Sequence, residues 1–331
     1  MQSSTSAWRG EELYSRPDWE YRLTSPDIAE LQSALAGVTQ TATGHITRDN
    51  FKLSKLGARF NDIQGSLESG SGFTIIRDFP IDRFTPGQTR RLFLGMVQHV
   101  GTPISQSAKG ERILDVKDAG HADGDAKVRG PNTRKRLSFH TDRCDVIAFL
   151  CVRPAKSGGE NFIVSSLAVY ETIKAERPEL LEVLMQPFYY KRHTVDLANN
   201  RAYCQQPIFS FCDGHFACSF LRVLIERAYA SDDTPEMTDI QREALDYLES
   251  VAERPDLHVR FYQQRGDIVL MNNWTTLHRR SEFEDHADPE LRRHLLRAWL
   301  SVPNSRPIDP LFKDNFGATE AGAIRGGMRS A

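Results

Sequence analysis

The sequence predicts a mainly β protein of the α+β class, an antiparallel sandwich or barrel with peripheral helices. Two observations carry this expectation. Short runs rich in β-branched and aromatic residues recur between 73 and 301, with Gly, Pro, Asp or Asn in many of the intervals, while few segments show helical periodicity. Many short strands in one chain bury their apolar faces in sheets that pack face to face or close on themselves. Of 331 residues, 40% are hydrophobic and 26% charged, which is enough apolar material for such a core.

The first helix is predicted at Ser25-Pro26-Asp27, where a capping residue and a proline precede Ile28, Leu31, Leu35 and Val38 at helical spacing. A strand follows at 73–77. Thr85-Pro86 opens a second helix carrying Leu92, Phe93, Met96, Val97 and Val100, which Gly101 stops. Strands are then predicted at 136–142, 146–152 and 162–165, a helix at 167–184, and strands at 188–193, 207–211 and 216–220. A helix at 239–252 and strands at 258–263, 267–271 and 293–301 complete the series. Residues 105–135 mix Gly, Asp, Lys and Arg with few apolar side chains. A loop of that length is either a lid over a site or a solvated surface segment. The tail after Pro310 has no hydrophobic period.

Several classes are excluded. Length alone permits two ordinary domains or one larger β or α/β unit. The chain carries 42 Lys+Arg against 44 Asp+Glu, a net charge of −2, which rules out a broadly basic nucleic-acid binder. The longest purely apolar stretch, Val146 to Val152, is far short of the roughly 20 residues that a membrane-spanning helix needs. The N-terminus lacks a basic start followed by an apolar run, so a cytoplasmic protein is expected. Cys144, Cys151, Cys204, Cys212 and Cys218 show no CxxC spacing, which indicates neither a disulfide framework nor a zinc ribbon.

The chemistry concentrates at Leu137-Ser138-Phe139-His140-Thr141-Asp142. On a strand, His140 and Asp142 project from one face, so an imidazole and a carboxylate converge. Taken alone, such a pair is more often a hydrogen-bonded His–Asp couple than a metal site. A second candidate histidine, His278, closes the run Asn272-Asn273-Trp274-Thr275-Thr276-Leu277. Two His and one carboxylate on one face of a metal leave the opposite positions open, as non-haem Fe(II) oxygenases require, whereas zinc favours a tetrahedral set. Farther on, Arg293, Leu295, Arg297 and Trp299 share one strand face. A buried guanidinium is costly unless compensated, either by a bound carboxylate or by structural acids such as Asp267 or Glu282.

Taken in order, His140-x-Asp142, Gly158-Gly159-Glu160-Asn161, the distal His278 in its Asn-Asn-x-x-x-Leu-His context, and Arg293 with Arg297 resemble the TauD/TfdA family of Fe(II)/2-oxoglutarate-dependent dioxygenases, including its clavaminate-synthase-like members. The resemblance runs from about Phe73 to the Arg-Gly-Gly at Arg325, and Ala7-Trp8-Arg9-Gly10 also fits it. It implies a double-stranded β-helix, or jelly roll, as a single domain over 1–331, with 105–135 as a lid. It implies His140, Asp142 and His278 as iron ligands and Arg293 as the grip on the distal carboxylate of 2-oxoglutarate. Arg297 would lie deeper, holding a substrate carboxylate or supporting the cosubstrate, and the adjacent Arg292 leaves the register open by one. Fe(II), 2-oxoglutarate and O2 are the implied cofactors. The implied reaction oxidises an unactivated C–H bond of a small, anionic, amino-acid-like substrate by hydroxylation, desaturation or ring closure, with release of succinate and CO2. No nucleic-acid or membrane partner is expected.

Two departures from the family pattern stand out. Many relatives place a Thr that helps bind 2-oxoglutarate where this chain has Asn161, whose amide also donates a hydrogen bond. Trp274 stands where relatives often carry a smaller or polar residue, and it is expected at the mouth of the site. The Asp142 carboxylate argues against the related halogenases. His45, His99, His121, His193, His215, His258 and His286 lack a comparable setting and are read as surface or core residues. Arg143 is read either as a substrate contact or as a surface residue. The readings of a different class are a non-catalytic jelly-roll binding protein and a metallohydrolase on the same ligands, neither of which needs the inward arginines.

Overall fold

The computed structural model describes residues 6–118, 132–192 and 201–328. Strands of two sheets position the site: β1 (Glu20–Arg22), β2 (Phe73–Arg77), β3 (Thr102–Ile104), β4 (Leu114–Val116), β5 (Val146–Arg153), β6 (Asn161–Ser165), β7 (His258–Phe261), β8 (Ile268–Asn272), β9 (Thr276–Arg280) and β10 (His294–Ser301). The larger sheet has seven strands in the order β1-β2-β8-β5-β10-β3, with β4 also paired to β10, and the smaller runs β7-β6-β9. Apart from the parallel β1–β2 pair, both sheets are antiparallel.

Side-chain alternation explains how both faces of these strands are buried. Leu296, Ala298 and Leu300 of β10 join Ala148, Leu150, Ile268 and Leu270 beneath the helices Ser25–Gly37, Lys55–Ser69 and Pro86–Val97. On the opposite face, Trp299, Ile147, Val269 and Met271 meet Ile163 and Val259 of the smaller sheet. Behind the smaller sheet, Phe162, Val164 and Leu277 pack on the helices Ser166–Glu176, Pro178–Leu184 and Asp239–Ala252. The result is a helix–sheet–sheet–helix stack of α+β type. Each fully buried Leu, Ile or Phe contributes roughly 1.5–3 kcal/mol.

Local sequence accounts for most helix ends. Thr85 accepts from the Gln88 N–H while the Gln88 side chain takes the Thr85 N–H, and Thr238 with Gln241 repeats this capping box. The predicted helix at 167–184 is two helices. Pro178 has no N–H for a continuing ladder, and Arg177 leaves helical geometry at φ −143°. The helix Lys55–Ser69 was not expected, because its N-terminus has no local side-chain cap. Instead Glu30 of the preceding helix accepts from the N–H groups of Lys55 and Leu56 at 3.0 and 2.9 Å.

A further difference lies at 136–142, which forms no extended strand. The segment meets β9 at one isolated bridge, His140 with His278, in which each N–H meets the other's carbonyl at 3.0 and 3.1 Å, and through the Leu137 N–H on the Arg280 carbonyl at 3.0 Å. In the 105–135 loop, residues 119–131 lie outside the described residues, as do His121 and His193. No helix among the described residues is long and apolar enough to cross a membrane.

Candidate metal centre and its flanking arginines

The His140–His278 bridge places two imidazoles side by side, with ring centroids 4.4 Å apart. Asp142, two residues on, completes the group. One ligand atom from each of His140, Asp142 and His278 lies within 4.8 Å of the others, with Nε2 of His278 3.5 Å from Oδ2 of Asp142. The convergence therefore comes from a bridge and a turn rather than from a regular strand.

The donors are held in metal-binding form. Nδ1 of His140 lies 2.8 Å from the carbonyl of Ser138, which makes it the N–H side of the ring and leaves Nε2 with its lone pair. Burial, and then the neighbouring His278, push the His140 pKa down to about 4, so this ring is neutral near pH 7. Burial opposes ionisation of Asp142, but the hydrogen bond from His278 and the Arg297 charge outweigh it and hold the carboxyl well below its usual range. Nδ1 of His278 is buried without a partner among the described residues. Two imidazoles, that of His140 neutral, and an ionised carboxylate close enough to share one ion fit a facial two-His-one-carboxylate set.

The turn carrying Asp142 is braced by the loop before β9. The Asp142 N–H donates to Oδ1 of Asn273 at 2.8 Å, the Asn273 N–H donates to the Asp145 carbonyl at 2.9 Å, and Nδ2 of Asn273 lies 3.1 Å from Sγ of Cys144. Asn272 accepts from the Trp274 N–H at 2.8 Å and donates to the Leu67 carbonyl at 3.0 Å. Asn273 thus fastens the loop before the histidine-bearing strand to the carboxylate-bearing turn, and Asn272 ties that loop to the helix Lys55–Ser69.

Arg293, Leu295, Arg297 and Trp299 share the inner face, and Arg292 turns outward to the carbonyls of His286 and Ala287. The guanidinium of Arg293 makes no hydrogen bond or ion pair with the described residues, although it is 6% exposed. Burial lowers its pKa to about 10. It lies over the Phe283 ring at 5.1 Å, and its backbone N–H is taken by Asp285 at 2.7 Å. Neither structural acid considered from sequence meets it, since Asp267 pairs with Arg77 at 2.5 Å. Instead Arg293 opens on a cavity of about 170 Å³ shared with Cys151, Gly159, Asn161, Gln263 and Leu295. Gly159 has φ +73°, a backbone conformation that favours glycine, and lies beside Arg293, where a Cβ would stand in ordinary contact 3.9 Å from Nε.

Arg297 lies nearer the cluster of His140, Asp142 and His278. Its Nε donates to Oε1 of Gln106 at 2.7 Å, one guanidinium nitrogen stands 3.7 Å from Oδ1 of Asp142, and Trp299 lies 4.8 Å beneath it. Trp274 is not at the mouth of this site. It is 1% exposed and packs on Phe312 and Phe316, with its N–H on Asp145 at 2.8 Å. Arg143 shows only intermediate exposure. Sequence reasoning did not single out Gln106 or Asp145, and it read Asn273 only as context. Their partners lie more than a hundred residues away, and no local pattern announces them.

Comparison with known proteins bears on this arrangement. The chain is 28% identical over 311 residues to FR-33289 synthase of Streptomyces rubellomurinus, covering 91% of this chain and 90% of that protein. It is 26% identical to the taurine hydroxylase-like protein SAT17 of Stachybotrys chartarum, covering 94% and 84%. Its fold is similar to that of an asparagine oxygenase solved with Fe(II), 2S,3S-3-hydroxyasparagine and succinate, with a TM-score of 0.64, 15% identity, and coverage of 85% of this chain and 93% of that one. Residues 38–299 match the taurine catabolism dioxygenase TauD, TfdA family, so the chain belongs to that family and is a non-haem iron, 2-oxoglutarate-dependent dioxygenase.

Proposed function

We propose that His140, Asp142 and His278 hold the iron, that Arg293 with Asn161 receives the distal carboxylate of 2-oxoglutarate, and that Arg297 faces an anionic, amino-acid-like substrate. In this reading the two facing sheets are a double-stranded β-helix, and 1–331 is a single catalytic domain. One observation carries the assignment: two buried arginines, Arg297 on the inner face of β10 and Arg293 just before that strand, the latter with no guanidinium partner among the described residues, beside a cluster of two histidines and a carboxylate. A metallohydrolase or a non-catalytic binding protein on the same ligands does not require the two inward arginines.

Iron and 2-oxoglutarate, when bound, supply the oxidising power: activation of O2 coupled to decarboxylation of the keto acid to succinate and CO2, sufficient to oxidise an unactivated C–H bond. The chain's own residues do the rest. The Ser138 carbonyl fixes the His140 tautomer, and Asn273 fixes the Asp142 turn. Arg293 offers a planar fork that matches a carboxylate bidentately. Phe149 packs beside His278, and Trp299 under Arg297, an apolar surrounding that disfavours water. Gln106 aims Arg297 at the place where substrate enters. The substrate class is supported by the hydroxyasparagine complex of the similar asparagine oxygenase.

The test is succinate formation from 2-oxoglutarate with Fe(II) and a panel of amino acids and related acids. Acid-stimulated succinate release that disappears in His140→Ala and Asp142→Ala supports the assignment. Release that persists undiminished in either variant overturns it.

A further inference from the structure

The chain beyond β10 returns beneath the metal centre. After Ser301 it passes through the short helix Lys313–Phe316 and comes back as Arg325-Gly326-Gly327-Met328, beyond the residues that match the family. The Gly327 N–H donates to the Arg143 carbonyl and the Met328 N–H to the Ser105 carbonyl, both at 2.8 Å. Arg143 directly follows Asp142, and Ser105 directly precedes Gln106, the residue that holds Arg297. One short segment therefore grips both the turn that carries the carboxylate and the loop that aims the inner arginine.

The segment is anchored with unusual completeness. The Arg325 side chain is 0% exposed, and its Nε donates to Oδ1 of Asp145, itself 1% exposed, at 2.6 Å. A second nitrogen reaches the Arg306 carbonyl at 2.8 Å, and the guanidinium lies 5.2 Å over Trp274. Asp145 also accepts from the Trp274 ring N–H at 2.8 Å and the Val302 N–H at 3.0 Å. A buried ion pair adds little net stability over an apolar replacement, but with every lone pair used it defines one position. Gly326 and Gly327 have φ of +78° and +70°, and Cβ atoms there would stand 2.5 Å from the Arg143 oxygen and 2.8 Å from the Ser105 oxygen. Met328, 5% exposed, joins the apolar cluster that contains Cys144, Ile147 and Trp299.

We propose that Arg325-Gly326-Gly327-Met328 is a positioning strap that holds the Asp142 turn in ligand geometry and so sets the affinity of the metal centre. The inference rests on the reading of His140, Asp142 and His278 as metal ligands. Asp142 sits on a turn with no ladder of its own: its N–H is held by Asn273, its carbonyl accepts from the Cys144 N–H at 2.9 Å, Thr141 before it bonds the Phe220 carbonyl at 2.7 Å, and the strap takes the carbonyl of Arg143 that follows it. Outer supports of metal ligands are typically worth 10–100-fold in metal affinity.

Two variants test the strap. A chain ending at Arg325 keeps the buried ion pair and loses the Gly327 and Met328 bonds. Gly326→Ala keeps the whole chain and presses a methyl group against the Arg143 carbonyl. Each is titrated with Mn(II), a redox-inert probe, by calorimetry beside the full chain and His140→Ala, and thermal unfolding is followed in parallel. The strap predicts Mn(II) binding weakened about 10–100-fold in both variants. A folded variant that binds Mn(II) as tightly as the full chain overturns it, as does a lowered unfolding temperature with unchanged affinity. If the shortened chain does not fold, Gly326→Ala decides. Unchanged binding in His140→Ala would instead overturn the metal assignment, which keeps the two failures apart.

Discussion

Gln106 and Arg297 hold each other in two directions: Nε of Arg297 donates to the Gln106 side-chain oxygen at 2.7 Å, and the Gln106 amide nitrogen donates to the Arg297 carbonyl at 3.0 Å. Both are nearly buried, so the arginine is aimed before substrate arrives. Gln106→Leu leaves a buried charged donor unpaired, at a cost of about 1–3 kcal/mol. The expected kinetic result is a raised KM for substrate with the KM for 2-oxoglutarate nearly unchanged. Equal changes in both constants would show that Gln106 does not act through Arg297.

Arg293 is the proposed anchor for the cosubstrate, since its guanidinium has no partner among the described residues. Arg293→Ala should weaken 2-oxoglutarate binding by about 2–5 kcal/mol, read by calorimetry on the anaerobic protein. Arg292→Ala, whose side chain is spent on the carbonyls of His286 and Ala287, should bind normally. The reverse result would move the anchor by one position.

Away from the site, Asp115 gives the fold a small acid sensitivity. Its hydrogen bond with His294, and then the Arg90 charge, hold its pKa at about 2 in the folded chain. A depressed carboxyl pKa adds stability above the ordinary value near 4, and this is lost as the pH falls from about 4 to about 2. The side chain is 45% exposed, so solvent screening keeps the contribution below about 1 kcal/mol. Asp115→Asn should therefore lower stability slightly at pH 7 and flatten the loss between pH 4 and 2, as followed by urea unfolding. A slope as steep as that of the parent chain would remove Asp115 from the account.

The helices at 25–37 and 86–97 were legible because a proline opens each and apolar residues follow at helical spacing; their caps, and that of 239–252, are local too, with Thr24, Thr85 and Thr238 each bonding a residue three positions on. The inner face of β10 was legible because alternate residues keep their sides even where Arg297 replaces an apolar residue, with Leu296, Ala298 and Leu300 on the helix side and Trp299 opposite. What sequence could not show is long in range. Asn273 reaches Asp142 across 131 residues, Gln106 reaches Arg297 across 191, and Arg325 reaches Asp145 across 180. Polar side chains that fasten one loop to another have no periodicity, and nothing in their neighbours marks them. Trp274 misled for the same reason, since its place beside the distal histidine did not reveal the Phe312 and Phe316 that draw it away.

Arg297 finally bears on what the enzyme accepts. Burial lowers its pKa, and Asp142 at 3.7 Å supports its charge. That carboxylate is also the proposed metal ligand, and once its charge is shared with a divalent cation, Arg297 is left under-compensated between Trp299 and Gln106. Proteins avoid an unpaired buried charge, because its desolvation is repaid only by an opposing group. An anionic group on the substrate supplies one, with its reacting C–H bond held near the metal. A methyl ester or primary amide of an accepted acid should therefore lose most of its kcat/KM, by about 2–5 kcal/mol if the charge pair is fully desolvated. Arg297→Gln should shrink the gap between acid and ester, because it removes the group that distinguishes them. Parity between acid and ester in the parent enzyme would mean that Asp142 alone satisfies Arg297 and that substrate charge is read elsewhere.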